Sequence, residues 1–267
     1  MKSSPDGQWT IEHRCPQCGA PVTMEESDKV LSCAFCRVRL FVTTGEFFRY
    51  VLPAPDLAPQ ETILVPYWRF RGMMFTRDDT GLRDQVLDST ALGTRTMPLP
   101  RSLGIRPQAL PLRFLPPDWL GGMLSADIPL QEALRNVYKS FPEARIPLEG
   151  DRPAGTEHER LVAMIGESVS MIYSPVYISK GNLCDAVLKE PVAPAPAGIL
   201  DNLLPHGDGE KWKTGFLPAL CPDCGWDLNG DRRSLVQVCM KCSGAWSAAG
   251  GGYRRIGCGT LLRSDEE

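Results

Sequence analysis

The chain has 267 residues, of which 43% are hydrophobic and 23% are charged, so at least one hydrophobic core is expected and a largely disordered chain is not. Its 24 prolines are about 9% of the residues, against a usual share of about 5%, and this high proline content disfavours a fold built from long helices. The formal net charge of -3 gives no overall attraction to polyanions, so nucleic acid would need a local basic patch.

Two absences in the sequence bear on location. The first fifteen residues lack the apolar core of a signal peptide, and no run of about eighteen apolar residues occurs. Both observations predict a cytoplasmic protein without a membrane span. In a reducing compartment, paired cysteines are more typical of metal sites than of disulfides, because the thiols stay available as thiolates.

The first predicted element is a cysteine module with the sequence CPQCGAPVTMEESDKVLSCAFC, from Cys15 to Cys36. Two CxxC pairs flank fourteen residues, and each pair can direct two sulfurs at one metal ion because two intervening residues allow a tight turn. Gly19 permits a left-handed backbone after the first pair, and APVTM and VLSCAF are expected to form two short strands. One CxxC is therefore half of a tetrahedral site.

The middle of the chain reads as β-rich. Aromatic and branched residues on both sides of Asp79-Thr80-Gly81 predict a β-hairpin, and a second hairpin is expected to turn at Lys180-Gly181-Asn182. Between them, DIPLQEALRNVYKSF predicts a helix with one apolar face and with Asp127 as its N-cap. A further short helix is predicted to start at Thr156.

A second cysteine module, CPDCGWDLNGDRRSLVQVCMKC, runs from Cys221 to Cys242 and repeats the spacing of the first. Its strands are expected in WDL and SLVQVC, with Asn229-Gly230 as a hairpin signal between them. The remaining cysteines, Cys184 and Cys258, are interpreted as buried free thiols, although Cys258 could approach the second module.

Both modules resemble zinc ribbons of the rubredoxin-like kind, on the strength of CPxCG, the second CxxC and the strand-turn-strand spacing. The resemblance implies two closed structural zinc sites, with iron or a redox dithiol as the alternative. It implies one site made of Cys15, Cys18, Cys33 and Cys36, and another made of Cys221, Cys224, Cys239 and Cys242. Rubredoxins carry glycine after both knuckles, whereas Arg37 and Ser243 follow the second ones here, which disfavours an iron protein.

The predicted fold class is mainly β with a few short helices (α+β), with two small zinc ribbons flanking a β-rich central domain. The predicted segments are an N-terminal ribbon over 1–44, a proline-rich linker over 45–60, a central domain over 61–190, a second linker over 191–214 and a C-terminal ribbon over 215–267. VPYWRFRG and SPVYISKG also resemble segments of uncharacterised bacterial proteins that join a zinc ribbon to a β-rich body.

The residues 67–71, YWRFR, allow two interpretations. Aromatic residues and arginine are favoured at interaction hot spots, so these five could form an exposed recognition strip. Alternatively, Trp68 and Phe70 share one strand face and fill the core. His13 is likewise interpreted as a surface residue of a strand, with a role as a metal ligand as the alternative.

Catalytic signatures are missing from the sequence: there is no GxxxxGK[ST], no GxGxxG opening a helix and no GxSxG. No catalytic residue or organic cofactor is therefore assigned, and the protein is predicted not to be an enzyme. Six basic and three acidic residues lie between Leu217 and Arg263, and zinc with four thiolates adds two negative charges, so this ribbon carries only about +1.

These observations favour a non-enzymatic interaction protein, an accessory subunit of a larger assembly with protein partners. The first alternative is a nucleic-acid-associated accessory factor. The second is a rubredoxin-like electron carrier that holds iron.

Overall fold

The computed structural model describes residues 10–54, 56–58, 61–78, 81–95, 99–139, 161–203, 213–249 and 251–259. The chain forms two compact units. Unit 1 comprises Phe47–Trp212 together with Met1–Thr10, and unit 2 comprises Ile11–Glu46 together with Lys213–Glu267. Both cysteine modules therefore belong to unit 2, which is assembled from two distant segments of the chain.

Unit 1 is built on strands. Numbered in chain order, they are β5 (Phe48–Val51), β6 (Ile63–Asp78), β7 (Gly81–Leu92), β8 (Leu112–Phe114), β9 (Gly122–Met123), β10 (Leu161–Ser179), β11 (Asn182–Asp185) and β12 (Pro191–Pro194). The strands β1–β4 and β13–β17 belong to unit 2 and are described below. Its helices are short: α1 (Arg106–Ala109), α2 (Leu130–Lys139) and a 3-10 helix at Ile199–Asn202. This low helix content follows the high proline content of the chain.

The long strand β10 organises the sheet of unit 1. It pairs antiparallel with β6 over almost its whole length, from Leu161 opposite Arg77 to Val176 opposite Ile63. Its middle also pairs in parallel with β5, and its end forms a hairpin with β11. β6 pairs in turn with β7 and with the short strand β9. The strands β10, β6 and β7 therefore lie side by side in that order, and the sheet is open.

The core of unit 1 lies on one face of this sheet. Strand alternation directs Trp68 and Phe70 of β6 to the same face, where both are buried with Met171 of β10. Ala133 and Val137 of α2 are buried in the same cluster. The apolar stripe of α2 therefore covers the core face of the sheet.

Several local predictions for unit 1 can be compared with its structure. The hairpins β6–β7 and β10–β11 are confirmed, the second with Lys180 and Gly181 at positive φ in its turn. The predicted helix is present as α2, but Asp127 is not its N-cap: its carboxylate accepts the backbone N–H of Arg95 at 2.7 Å. The helix predicted from Thr156 lies outside the described residues.

The segment 67–71 is buried throughout, and Arg69 is fully buried. The interpretation of these residues as core is therefore correct, and an exposed recognition strip at this place is wrong. Within this segment, Tyr67, Arg69 and Arg71 lie on the opposite face of β6 from Trp68 and Phe70, and the hydroxyl of Tyr67 donates to the carbonyl of Pro100. Burial raises the pKa of Tyr67, so this hydroxyl stays protonated.

Unit 2 contains two strand groups that correspond to the two modules. The first segment forms β1 (Thr10–Arg14), β2 (Pro21–Glu25), β3 (Val30–Ser32) and β4 (Arg39–Thr43). The second forms β13 (Gly215–Pro218), β14 (Leu228–Asn229), β15 (Val236–Cys239), β16 (Ala245–Ala249) and β17 (Gly252–Ile256). β14 to β17 make one four-stranded sheet in chain order.

The two segments of unit 2 share a sheet. β13 pairs antiparallel with β4, which pairs with β3, so the chain just before the second module extends the sheet of the first. The rings of Phe41 and Tyr253 meet edge to face at 6.4 Å.

The division of the chain into five independently folding segments stays a prediction. Parts of both predicted linkers form paired strands, namely β5 in the first and β12 in the second.

Strand accounts for 49% of the structure and helix for 9%, so the predicted mainly-β class is confirmed. Cysteine clusters lie near both ends of the chain, as expected. Within the described ranges, no helix combines the length and apolar character that crossing a membrane requires.

Candidate metal centres

The first candidate metal centre is formed by the two CxxC pairs of the N-terminal module. The Sγ atoms of Cys15 and Cys36 lie 3.7 Å apart, as do those of Cys18 and Cys33. A tetrahedron with metal–sulfur bonds of about 2.3 Å has edges of about 3.8 Å, which matches this spacing. All four sulfurs lie within 4.8 Å of one another, so the group could hold one metal ion.

The second candidate centre repeats this arrangement in the C-terminal module. Cys221 and Cys242 have their sulfurs 3.6 Å apart, and those of Cys224 and Cys239 are 3.5 Å apart. These separations are far longer than the roughly 2.05 Å of a disulfide bond, and all eight thiols are free. Each group therefore offers four sulfur ligands and fills a tetrahedral shell by itself.

Local backbone hydrogen bonds explain why each CxxC turn aims its sulfurs inward. In the first module, Cys15 N–H donates to the carbonyl of Ala20, and Gly19 N–H donates to that of Cys15. Cys221 N–H and Gly225 N–H make the equivalent bonds in the second module. Adding 206 to a residue number of the first module gives its counterpart in the second, for the cysteines and for these turns alike.

Left-handed backbone ends every one of these turns. Gly19 and Gly225 have φ of 73° and 68°, where glycine avoids the steric cost of a side chain. Arg37 and Ser243 occupy the equivalent positions of the second turns at φ of 60° and 56°. The departure from a second glycine therefore leaves the turn geometry unchanged, at a conformational cost of about 1–2 kcal/mol per position.

Backbone N–H groups also donate hydrogen bonds to the cysteine sulfurs and change the pKa of these thiols. The N–H of Cys36 is the main cause that lowers the pKa of Cys33 to about 7. At Cys239, burial raises the pKa of the thiol, but hydrogen bonds from the backbone N–H groups of Cys242 and Lys241 outweigh it and lower the pKa to about 7. One thiol in each cluster is thus prepared to act as a thiolate, the form that binds metal.

Among the described residues, no histidine, carboxylate or further cysteine joins either group of four cysteines. The ring of His13 stacks on that of Phe216 at 5.0 Å, and desolvation lowers its pKa. Cys184 is buried, as expected, in β11 of unit 1. Cys258 is exposed, so the prediction that it is a buried thiol is wrong.

The tips of the two modules contact each other, which the sequence analysis did not anticipate. We call residues 25–30 the first tip and residues 230–235 the second tip. Arg232 pairs with Asp28, and Arg233 pairs with Glu25. The tip of the second module is not a turn at Asn229-Gly230: the turn is formed by Asp231–Ser234, where Ser234 N–H donates to the carbonyl of Asp231.

An arginine of the first module reaches the second module as well. The guanidinium of Arg39, on β4, donates to the carbonyls of Leu228 at 2.9 Å and Gly230 at 3.1 Å. The signal that could have revealed this packing is charge: the first tip carries three carboxylates and the second tip carries two adjacent arginines. Arg39, Arg232 and Arg233 are therefore engaged in contacts within unit 2.

Unit 1 has an open cleft of about 450 Å³ between the start of β6 and the 3-10 helix. Leucine and isoleucine side chains form much of its lining, and its ionisable groups are Glu61 and Tyr177. The cleft belongs to unit 1, whereas both cysteine clusters belong to unit 2.

Comparison with models of protein families, with curated proteins and with solved structures finds no match for this chain. The two cysteine clusters and the surfaces around them are therefore the basis for inferring function, because a fold class alone does not specify one.

Proposed function

We propose that the chain is a non-enzymatic zinc-binding interaction protein, an accessory subunit of a larger assembly, and that each four-cysteine cluster holds one structural zinc ion. The main support is that four sulfurs complete each tetrahedral shell, so a bound zinc has no open position for substrate or water. Zinc is favoured over iron because the sequence departs from rubredoxins at Arg37 and Ser243, although the turns keep the same left-handed geometry.

The proposed binding surface is an exposed apolar group on the second module. It consists of Trp226, Val236, Val238 and Met240, whose exposed fractions are 55%, 38%, 38% and 70%. Val236 and Val238 share the outer face of β15, since the intervening Gln237 is buried. Apolar side chains held exposed on a rigid metal-bound frame are typical of a protein interface.

Nucleic acid is the less favoured partner. Arg232 and Arg233 are one of two pairs of adjacent cations in the second module, and both make ion pairs with the first module. Arg255 pairs with Asp223, and Lys241 lies over the ring of Trp226 at 5.2 Å from its centroid. Phosphate binding needs several clustered cations that can exchange their counterions, and these are already engaged.

Metal analysis of the purified full chain tests the first part of the proposal. We expect a colourless protein with two zinc ions per chain. A visible iron chromophore would support the electron-carrier alternative, and one zinc or none would refute the assignment. Retention on DNA that decreases steeply with salt would instead support the nucleic-acid alternative.

Affinity purification from the native organism tests the interaction surface. We expect Trp226→Ala with Met240→Glu to lose a partner that the wild-type chain retains, with zinc content unchanged. Arg254→Glu changes an exposed residue of β17 and is the matched control, which should retain the partner. Equal recovery of every partner with the double variant would refute this surface.

A further inference from the structure

We propose that the two metal sites are coupled through their docked tips, so that loss of metal from one cluster weakens metal binding at the other. This inference rests on the proposed function, because it requires zinc at both clusters. It concerns contacts within unit 2 and depends on four observations: matching turns, opposite charges, shared backbone hydrogen bonds and direct continuity from tip to ligand.

The two tips are built on the same turn. In the first, Asp28 N–H donates to the carbonyl of Glu25, and Glu25 N–H donates back to the carboxylate of Asp28 at 2.8 Å. In the second, Ser234 N–H donates to the carbonyl of Asp231, and Asp231 N–H donates to the hydroxyl of Ser234 at 3.0 Å. Each turn is closed by its own side chain, so each tip has a defined shape before it meets the other.

The first tip is net acidic and the second tip is net basic, and one pair of equivalent positions carries opposite charges. Glu26 of the first tip corresponds to Arg232 of the second, by the same offset of 206 that relates the cysteines. The side chain of Asp28 is only 2% exposed while it pairs with Arg232. A buried carboxylate needs its counter-charge, so separating the tips would leave Asp28 without the partner that balances it.

Backbone hydrogen bonds join the tips in addition to the ion pairs. The carbonyl of Arg232 accepts Lys29 N–H at 2.6 Å and Val30 N–H at 3.0 Å. These bonds require the second tip to keep its folded turn, because a disordered segment would not present this carbonyl at one place. The first tip therefore uses the folded second module as part of its own backbone pairing.

Each tip leads directly to a cysteine ligand. Val30 begins β3, which runs straight into Cys33, and β15 ends at Cys239. A shift of the first tip would move the backbone of β3 and with it the sulfur of Cys33. Metal binding at one cluster thus stabilises the tip contact, and by thermodynamic linkage the tip contact stabilises metal binding at the other.

The experiment is a chelator titration of the full chain with a chromogenic zinc chelator. In the wild type we expect both zinc ions to be released in one transition. In Cys18→Ser, which removes the first site, we expect the zinc of the second cluster to be released at a chelator concentration roughly tenfold lower, within the usual range of such couplings. Cys224→Ser should weaken the first cluster in the same way.

A tip variant shows whether the contact carries the effect. In Arg232→Glu with Arg233→Glu, both clusters should release zinc early, and adding Cys18→Ser should cause little further change at the second cluster. Arg254→Glu makes the same change of charge on β17, outside the second tip, and should behave as wild type. A milder test is Arg233→Glu alone, which should weaken both sites, with recovery when Glu25→Arg is added.

The outcomes separate this proposal from the proposed function. If the wild type binds fewer than two zinc ions, both fail. If it binds two but Cys18→Ser leaves the second cluster at its wild-type chelator midpoint, the sites are independent and only the coupling is refuted. An effect of Cys18→Ser that persists undiminished in the tip variant, or no recovery with the charge exchange, also overturns the role of the tips.

Discussion

Arg69 and Asp88 form a two-point ion pair in the interior of unit 1. The Nε of Arg69 lies 2.8 Å from one carboxylate oxygen, and a terminal nitrogen lies 2.8 Å from the other. The arginine side chain is fully buried, and that of the aspartate is 7% exposed. Two charges this deep are tolerated because each satisfies the other with aligned hydrogen bonds.

We expect Asp88→Ala to lower the free energy of unfolding by about 3–5 kcal/mol, because it removes the carboxylate that balances the buried Arg69 charge with two hydrogen bonds. The double replacement Arg69→Met with Asp88→Leu should cost clearly less, since it removes both charges. Urea unfolding of the three proteins measures these differences. A double variant that is less stable than Asp88→Ala would contradict this explanation.

Gly72 should not tolerate alanine. A Cβ added there would lie 2.3 Å from the carbonyl oxygen of Ile165 on the neighbouring strand β10. The strands would have to separate next to the register shift between Gly166 and Ser168, at a cost of about 1–3 kcal/mol. Gly252→Ala is the control, because nothing lies within 4 Å of the added atom there. Thermal unfolding compares the two.

The left-handed positions of the second module predict opposite effects of two small changes. Gly225→Ala should destabilise the zinc-loaded module by about 1 kcal/mol, since the site has space but its φ of 68° disfavours a side chain. Ser243→Gly should be neutral or stabilising, because serine already bears this cost. Equal losses of stability for both variants in denaturant unfolding would show that the turns respond to something else.

Chelation should act on one unit of the chain. If both clusters hold structural zinc as proposed, excess chelator should unfold unit 2 while the sheet and core of unit 1 remain. Scanning calorimetry should then show one transition that disappears and one that persists near its original temperature. Cys18→Ser or Cys224→Ser should likewise leave the transition of unit 1 in place, and its loss would contradict this expectation.

The cysteine clusters could be predicted from the sequence because their geometry is local. Two residues between cysteines and a glycine after Cys18 or Cys224 largely determine where the sulfurs point. The hairpins of unit 1 were predictable for the same reason, from turn residues such as Lys180-Gly181 between strand-forming runs.

Long-range pairing was not predictable in this way. Arg232 and Asp28 are 204 residues apart, and their opposite charges identify a contact only once both turns are known to share one shape. Pro191 suggested a linker, yet it lies in β12, which pairs with β11. β12 is the edge strand of the sheet, where the missing N–H of proline is tolerated. The burial of Arg69 also contradicts the usual preference of arginine for the surface, and it depends on Asp88 from a neighbouring strand.

The pairing of β4 with β13 joins residues near position 40 to residues near position 217, with the segment Phe47–Trp212 of unit 1 between them in the chain. On a ribosome that adds roughly 5–20 amino acids per second, β4 is synthesised about ten to thirty-five seconds before its partner. During that interval the acidic first tip is exposed on the nascent chain, and the hydrogen-bonding edge of β4 has no β13 to cover it. The order of translation thus gives the first cysteine cluster a period in which its module has to fold without the second.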